Sequence, residues 1–442
     1  MAQHLEALQT LTASVVETRL DRRALVRRGA ALGVGIAGSA TLLREAGAQD
    51  ATPAAASAET TRVQTIVDAA NAFLDTLSED ERATVLFDWT DEEQKARWSN
   101  FPHALFPRDG LMWGDLSDAS REAWLALMEQ TLSARGYERI MQEWIADDVL
   151  AGVTGSYEDS GSGDGLTNSG PMGGGQTGGG PGGAPDVTGT PVAGMGPGGG
   201  QGDLTGTPPA DGNGGTMGSF DESGLRTSDY GTQYYFAALI GTPSTSSPWQ
   251  WQWGGHHVNV NATVANGNVA FTPSFIGVQP GQYTTDDGEF VEPLGDIRDT
   301  AFALVNALDE TQAAQAILGD AYIDLLLGPG KDGVTIDPEG VLAADLTDDQ
   351  RELLVTLVGY YTDLLNDDHA AIRRAEVLDT LDETYFAWSG PTEEGSAAYF
   401  RVAGPRIVIE YSPQALGGDP ANHIHGIYRD PENDYGVLYQ AS

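Results

Sequence analysis

Apolar positions along the chain change period more than once, and each change predicts a different element. Between Asn71 and Leu77, between Arg82 and Phe87, and over several turns from Leu116 to Trp144, apolar residues recur at helical spacing. A recurring phrase marks helix starts: LSEDER from Leu77, LSDASR from Leu116 and LTDDQR from Leu346. In the first and last, Ser78 with Glu81 and Thr347 with Gln350 have the spacing of capping boxes, in which each partner satisfies an orphan N–H at the helix start. The acids in these phrases read as structural. Their repetition raises an internal duplication without establishing it.

After about residue 230 the period shortens to that of strands. Gln233 to Ile240, His257 to Val264, Asn268 to Phe275, Ala398 to Val402, Arg406 to Tyr411 and Asn422 to Tyr428 are rich in aromatic and β-branched residues. Asn266-Gly267 and Gly404-Pro405 supply turn signals between them. Two helical blocks, about Asp299 to Leu327 and Thr347 to Asp382, separate the two groups of strands. Segregated runs of this kind predict an α+β fold, with a helical N-terminal segment packed with a mostly antiparallel sheet. From Thr154 to Ser219 the composition falls to Gly, Pro, Ser, Thr and Asp with almost no apolar periodicity. Such a stretch cannot bury enough surface to offset its ordering entropy, so a long disordered low-complexity insertion at 154–219 is expected inside a single domain over 61–442. A phosphate cradle is disfavoured, because no Gly-Lys-Ser/Thr follows the glycines.

The first residues read as a leader. Arg22-Arg23 precedes a mildly apolar Gly/Ala-rich run from Ala30 to Leu43, and Ala46-Gly47-Ala48 supplies a cleavage-type site. Residues 1–48 are therefore expected to be a twin-arginine-type export signal and 49–60 a linker, which places the protein outside the cytoplasm, secreted or at the cell envelope. The apolar run is shorter than the roughly 20 residues a spanning helix needs, and no later stretch qualifies. Net charge is −41, and −43 without residues 1–48, with only two lysines, Lys95 and Lys331. A surface this acidic repels phosphate backbones, which argues against nucleic acid and anionic membrane as partners. With no cysteine, disulfides, thiolate metal sites and a cysteine nucleophile are excluded.

Chemistry then falls to histidine. His256-His257 and His423-x-His425 lie in polar, strand-like stretches. Strand alternation puts His257, Asn259 and Asn261 on one face and His256 on the other, and it groups His423 with His425 and Arg406 with Glu410. If these faces converge, His257, His423 and His425 become metal ligands, with Glu410 as a fourth ligand or general base. That set suits zinc, iron, copper or manganese. Asn259 and Asn261 would line the same face. Trp249, Trp251 and Trp253 alternate with glutamines and could form a stacking platform for a glycan or other small-molecule ligand, although core packing explains them too. Arg429 and Asp434 stand near His425 and could orient substrate or a ligand histidine, or simply stabilise a turn. The loop FPHALFPRDGLMWGDL, with His103, Arg108 and Asp109, could line a pocket.

Several phrases carry a family resemblance: FPRDGLMWGDLSDASREAW, YYFAALIGTPSTSSPWQWQWGGHHVNVNATV, FTPSFIGVQP, and VIEYSPQ followed by NHIHGIYRDPENDYG. With them the chain resembles the bacterial family known only as domain of unknown function 3500. The resemblance implies one domain spanning both halves and carries over no catalytic residue. The expected function is thus an exported protein with a histidine-rich metal site, acting as a metal-dependent hydrolase or oxidoreductase; the alternative is a non-catalytic glycan or small-ligand binding protein.

Overall fold

Both capping boxes form, Ser78 with Glu81 and Thr347 with Gln350, and Ser117 caps the helix Asp118–Thr131 by accepting from the Ser120 amide. A third box, Asp309 with Gln312, starts Glu310–Ala316. The computed structural model describes residues 53–152, 230–416 and 418–440. The export-type leader and the 154–219 insertion lie outside the described residues. The described residues from Ala56 onward form one compact unit. The first described helix, Pro53–Asp75, begins inside the stretch expected to be a linker. Among the described residues no helix is long and apolar enough to cross a membrane.

The fold is α+β, as expected. Its sheet contains β1 (Leu86–Phe87), β2 (Leu111–Met112), β3 (Phe236–Ile240), β4 (Trp249–Gly254), β5 (Val258–Ala265), β6 (Asn268–Ala270) and β7 (Ser274–Ile276) from the first part of the chain. A separate hairpin, β8 (Tyr283–Thr284) and β9 (Phe290–Val291), follows. The second part adds β10 (Ile317–Gly319), β11 (Val341–Leu342), β12 (Tyr385–Ser389), β13 (Tyr399–Gly404), β14 (Ile407–Pro413) and β15 (Ile424–Arg429). The strand order is β1-β3-β4-β5-β7-β15-β14-β13-β12-β10, antiparallel except at its two ends. Asn266-Gly267 makes the tight turn of the β5–β6 hairpin, with both residues at positive φ as that turn requires.

The duplication is present in the topology. At one end β1 runs parallel to β3 while β2 pairs antiparallel with it; at the other end β10 and β11 treat β12 in the same way. The two matching helix starts, at Asp118 and Asp348, each follow a 3-10 turn, Trp113–Asp115 or Ala343–Asp345, whose first carbonyl accepts from Arg121 or Arg351. The halves meet where Leu132 bridges Leu365, with the Ser133 amide donating to the Leu364 carbonyl and the Asn366 amide to that of Thr131.

Alternation divides the sheet into two faces. Helices cover one of them: Trp251 donates from its indole to the Thr131 hydroxyl, and Trp253 packs edge-on against Trp113 and Trp144. Trp249, Trp251 and Trp253 are all fully buried, so they form core and not the stacking platform considered above. A short helix, Glu92–Lys95, and loops cover the other face. The Gln252 amide donates to the carbonyls of Gln94 and Lys95, and Glu410 accepts from the amides of Leu326 and Leu327. The expected helical block from Asp299 to Leu327 accordingly stops early, as Gly295–Ala307 and Glu310–Ala316, and the chain then continues into β10 and the loop that Glu410 holds. The expected strand Asn268 to Phe275 breaks into β6 and β7 around a cis Thr272-Pro273 bond.

One buried acid stands outside every hydrogen bond. Glu143, on helix Ala134–Leu150, is fully buried, and neither carboxylate oxygen has a partner. Burial raises its pKa well above the usual carboxylate range, with nearby Arg139 opposing. A carboxyl whose folded pKa is raised gives up stability as pH rises above its unfolded value, because the unfolded chain releases the proton more readily. Glu143→Gln should therefore match the native protein near pH 4 and exceed its melting temperature at pH 8; equal melting temperatures at both pH values would show that Glu143 is not held neutral.

Candidate metal centre

The site stands at one end of the central strands, where three segments converge. Gly254 and Gly255 close the turn from β4 into β5. A Cβ on Gly254 would overlap the Asn259 side chain, and one on Gly255 would overlap the Tyr235 ring, so this close packing requires the glycine pair. His256 and His257 lie in that turn, just before β5 begins at Val258. Strand alternation therefore does not apply to them. Contrary to the expectation of opposite faces, their rings are 3.6 Å apart and both Nδ1 atoms lie 3.1 Å from Asp147 Oδ1. His423 follows the 3-10 turn Pro420–Asn422, and His425 lies on β15 opposite Ser412.

Three imidazoles meet. His257 Nε2 is 3.1 Å from His423 Nε2, which is 3.1 Å from His425 Nε2. His257, His423 and His425 thus each present a donor atom to one point, with all such atoms within 4.8 Å of one another. Tetrahedral coordination at about 2.0–2.1 Å separates ligand nitrogens by roughly 3.3 Å, so the spacing suits a metal ion.

Proton positions make the case stronger. His257 Nδ1 faces a carboxylate, and His423 Nδ1 lies 2.6 Å from the Leu416 carbonyl oxygen. Both partners can only accept, so both Nδ1 atoms carry the hydrogen and both Nε2 atoms expose lone pairs. Two lone pairs facing each other at 3.1 Å repel unless a cation lies between them. His425 Nδ1 is 3.5 Å from the Asn100 amide. If the Asn100 oxygen faces the ring, His425 Nε2 is also a lone pair and completes the ligand set; if the nitrogen does, the clash between His257 and His423 still stands.

Burial and neighbouring imidazoles keep these rings neutral. Burial lowers the pKa of His257 to about 4, with His256 adding to the effect, and that of His423 to about 3, with His257 adding. His425 moves well below its usual value for the same reasons. Asp147 moves the other way. Burial opposes its charge, but His256, His257 and their hydrogen bonds hold its pKa low, while Tyr235 donates its hydroxyl to the second oxygen at 2.8 Å. Neutral imidazoles backed by an ionised carboxylate form the arrangement that orients and strengthens metal-binding histidines. His425 and His256 retain partial exposure, whereas His257, His423 and Asp147 are buried.

Other expected site residues lie elsewhere. Glu410 does not join the histidines: its two oxygens accept from Leu326, Leu327 and the Tyr399 hydroxyl, which commits it to holding the covering loop. The carboxylate that stands with the histidines is Asp147. Arg429 pairs with Asp332 and Asp434 and donates to the Leu327 carbonyl, and Asp434 accepts from the Asp430 amide; these contacts build a turn. Asn259 and Asn261 are buried on the loop-covered face beneath the segment 94–109. Sequence reasoning overlooked Asp147, Tyr235 and Asn100. Asp147 had one signal, as an acid one turn beyond Glu143 and three residues beyond Trp144, on the helix face that buries Ile140 and Trp144.

An α+β fold with a three-histidine centre thus defines the class of protein. The chain belongs to the family described as protein of unknown function (DUF3500), whose model matches residues 59–437. Neither the curated proteins nor the solved structures contain a match to it.

Removing the carboxylate support should weaken metal binding without removing a ligand. Asp147→Asn is expected to lower zinc affinity about 10–100-fold in competition with a chelating dye; unchanged affinity would show that Asp147 does not tune His257.

Proposed function

We propose that the protein is a mononuclear metal-dependent hydrolase. His257, His423 and His425 are the ligands, and Asp147 orients His257. The observation that supports this most directly is the meeting of three Nε2 atoms, two of them lone pairs by virtue of their Nδ1 partners. Three protein ligands leave a coordination position open, the mark of a catalytic and not a structural site. The choice between hydrolysis and oxidation rests on charge. All three ligands are neutral, so a zinc ion keeps its full positive charge and lowers the pKa of bound water most effectively. Non-haem iron oxygenases, by contrast, commonly use two histidines and a carboxylate. Partial exposure of His425 and His256 is compatible with access from solvent. The reading includes export, supported by Arg22-Arg23 and the apolar run that follows.

Elemental analysis of protein purified from metal-supplemented culture should find about one equivalent of zinc or another transition metal per chain, and almost none in His423→Ala/His425→Ala. Hydrolysis of 4-nitrophenyl acetate should follow metal content. Metal-free native protein would refute the site, and a metal-loaded protein inert toward nitrophenyl esters and phosphates would refute the hydrolase assignment while leaving the site.

A further inference from the structure

His425 and Ile427, two residues apart on β15, point to the same face of the sheet. Over Ile427 the covering segments of the two halves close. Trp98 packs with Phe275 and Ile427, Leu325 lies against this cluster, and Ile427 is 0% exposed. Two residues back along the strand, His425 keeps partial exposure, so the face opens at the metal centre.

Three segments bring exposed apolar side chains to this opening. Asn100 stands 3.5 Å from His425 Nδ1, and Phe101 beside it is 44% exposed. Ile323, 38% exposed, accepts at its carbonyl from Ser412, the residue paired with His425 across the sheet. Leu416, whose carbonyl holds His423 Nδ1, is 52% exposed. Phe101, Ile323 and Leu416 are far apart in sequence, yet the backbone of each is tied to the surroundings of a ligand histidine. Charge at the same place is acidic or already committed. Asp324, next to Ile323, accepts from the Gln414 amide at 3.1 Å. Arg108 is buried and donates to the carbonyls of Ser99, Phe101, Phe106 and Gly255, and Arg97 pairs with Asp109 at 2.9 Å.

We propose that the metal centre acts on neutral carboxylic esters with an apolar acyl chain, and that the chain lies over Phe101, Ile323 and Leu416. This rests on the hydrolase reading above and adds the substrate class. An acyl chain covering exposed apolar side chains removes both from water, which favours longer chains over acetyl. A phosphate monoester or other anionic substrate would meet Asp324 and no uncompensated cation among the groups just named, so neutral esters are preferred. In the reaction water adds to the acyl carbon and the acyl C–O bond breaks. The products are a carboxylic acid and an alcohol, with no oxidant or second substrate required.

The test uses the full chain purified from metal-supplemented culture, with two readouts. In hydrolysis, kcat/KM for 4-nitrophenyl hexanoate should exceed that for the acetate about tenfold or more. In binding, hexanohydroxamic acid, which carries a metal-binding head on the same chain, should bind about tenfold or more tighter than acetohydroxamic acid by calorimetry. Phe101→Ser and Ile323→Ser should each reduce both preferences about threefold or more with metal content retained. Val437→Ser, which removes an exposed apolar side chain on the C-terminal turn, should leave both preferences as they are. Equal binding of the two hydroxamates, or a preference that survives both Phe101→Ser and Ile323→Ser, would overturn the proposal. A hydroxamate preference lost in those variants, in a protein that hydrolyses neither ester, would keep the chain-binding surface and overturn the hydrolase reading.

Discussion

Asp147 is the constraint on which the site depends. It is a fully buried carboxylate, held ionised against the cost of burial by two imidazole N–H groups and a tyrosine hydroxyl. A lone ionised carboxylate in that position would neutralise itself by taking up a proton. Because it stays charged, it fixes the His257 tautomer and turns Nε2 toward His423 and His425. The surrounding architecture serves this contact: helix Ala134–Leu150 carries the carboxylate, the glycine pair lets Tyr235 pack close, and Arg108 ties the 99–101 segment to Gly255.

The duplicated topology sharpens what is special about the first half. Each half pairs its strands in the same way and covers one face of the sheet with a segment held by a polar side chain, the short helix Glu92–Lys95 by Gln252 in the first and the loop at Leu326–Leu327 by Glu410 in the second. They differ at the turn joining the last two strands of each motif. In the first half this turn is Gly254 to His257. In the second it is Gly404 to Arg406, and Arg406 is drawn into an ion-pair network with Asp430 and Glu376, joined by Arg373. A network of paired charges consolidates packing there, whereas the first half places neutral imidazoles with unused lone pairs at the matching turn.

Much of the fold was legible because its signals are local. Capping boxes, the Asn-Gly hairpin and strand composition depend on neighbours a few residues apart, and they marked Asp348–Thr362, the β5–β6 turn and β14 closely. Convergence of the histidines was legible as a possibility, since His-x-His on a strand projects both rings to one side. Where prediction failed, contacts distant in sequence decided. His256 and His257 escape alternation because the chain bends there to meet a helix more than 100 residues earlier. The tryptophans alternate as a binding platform would, but the helices Asp118–Thr131 and Ala134–Leu150 cover them. Glu410 shares a strand face with polar neighbours, yet a loop about 85 residues upstream claims its oxygens.

Anomalous diffraction from crystals of the metal-supplemented protein, recorded on either side of the zinc absorption edge, tests the central claim most directly. The account predicts one strong peak about 2.0–2.1 Å from the Nε2 atoms of His257, His423 and His425, with Asp147 still bonded to His257 Nδ1. No peak at that point, or a metal bound through Glu410 or through the Nδ1 atoms instead, would contradict it.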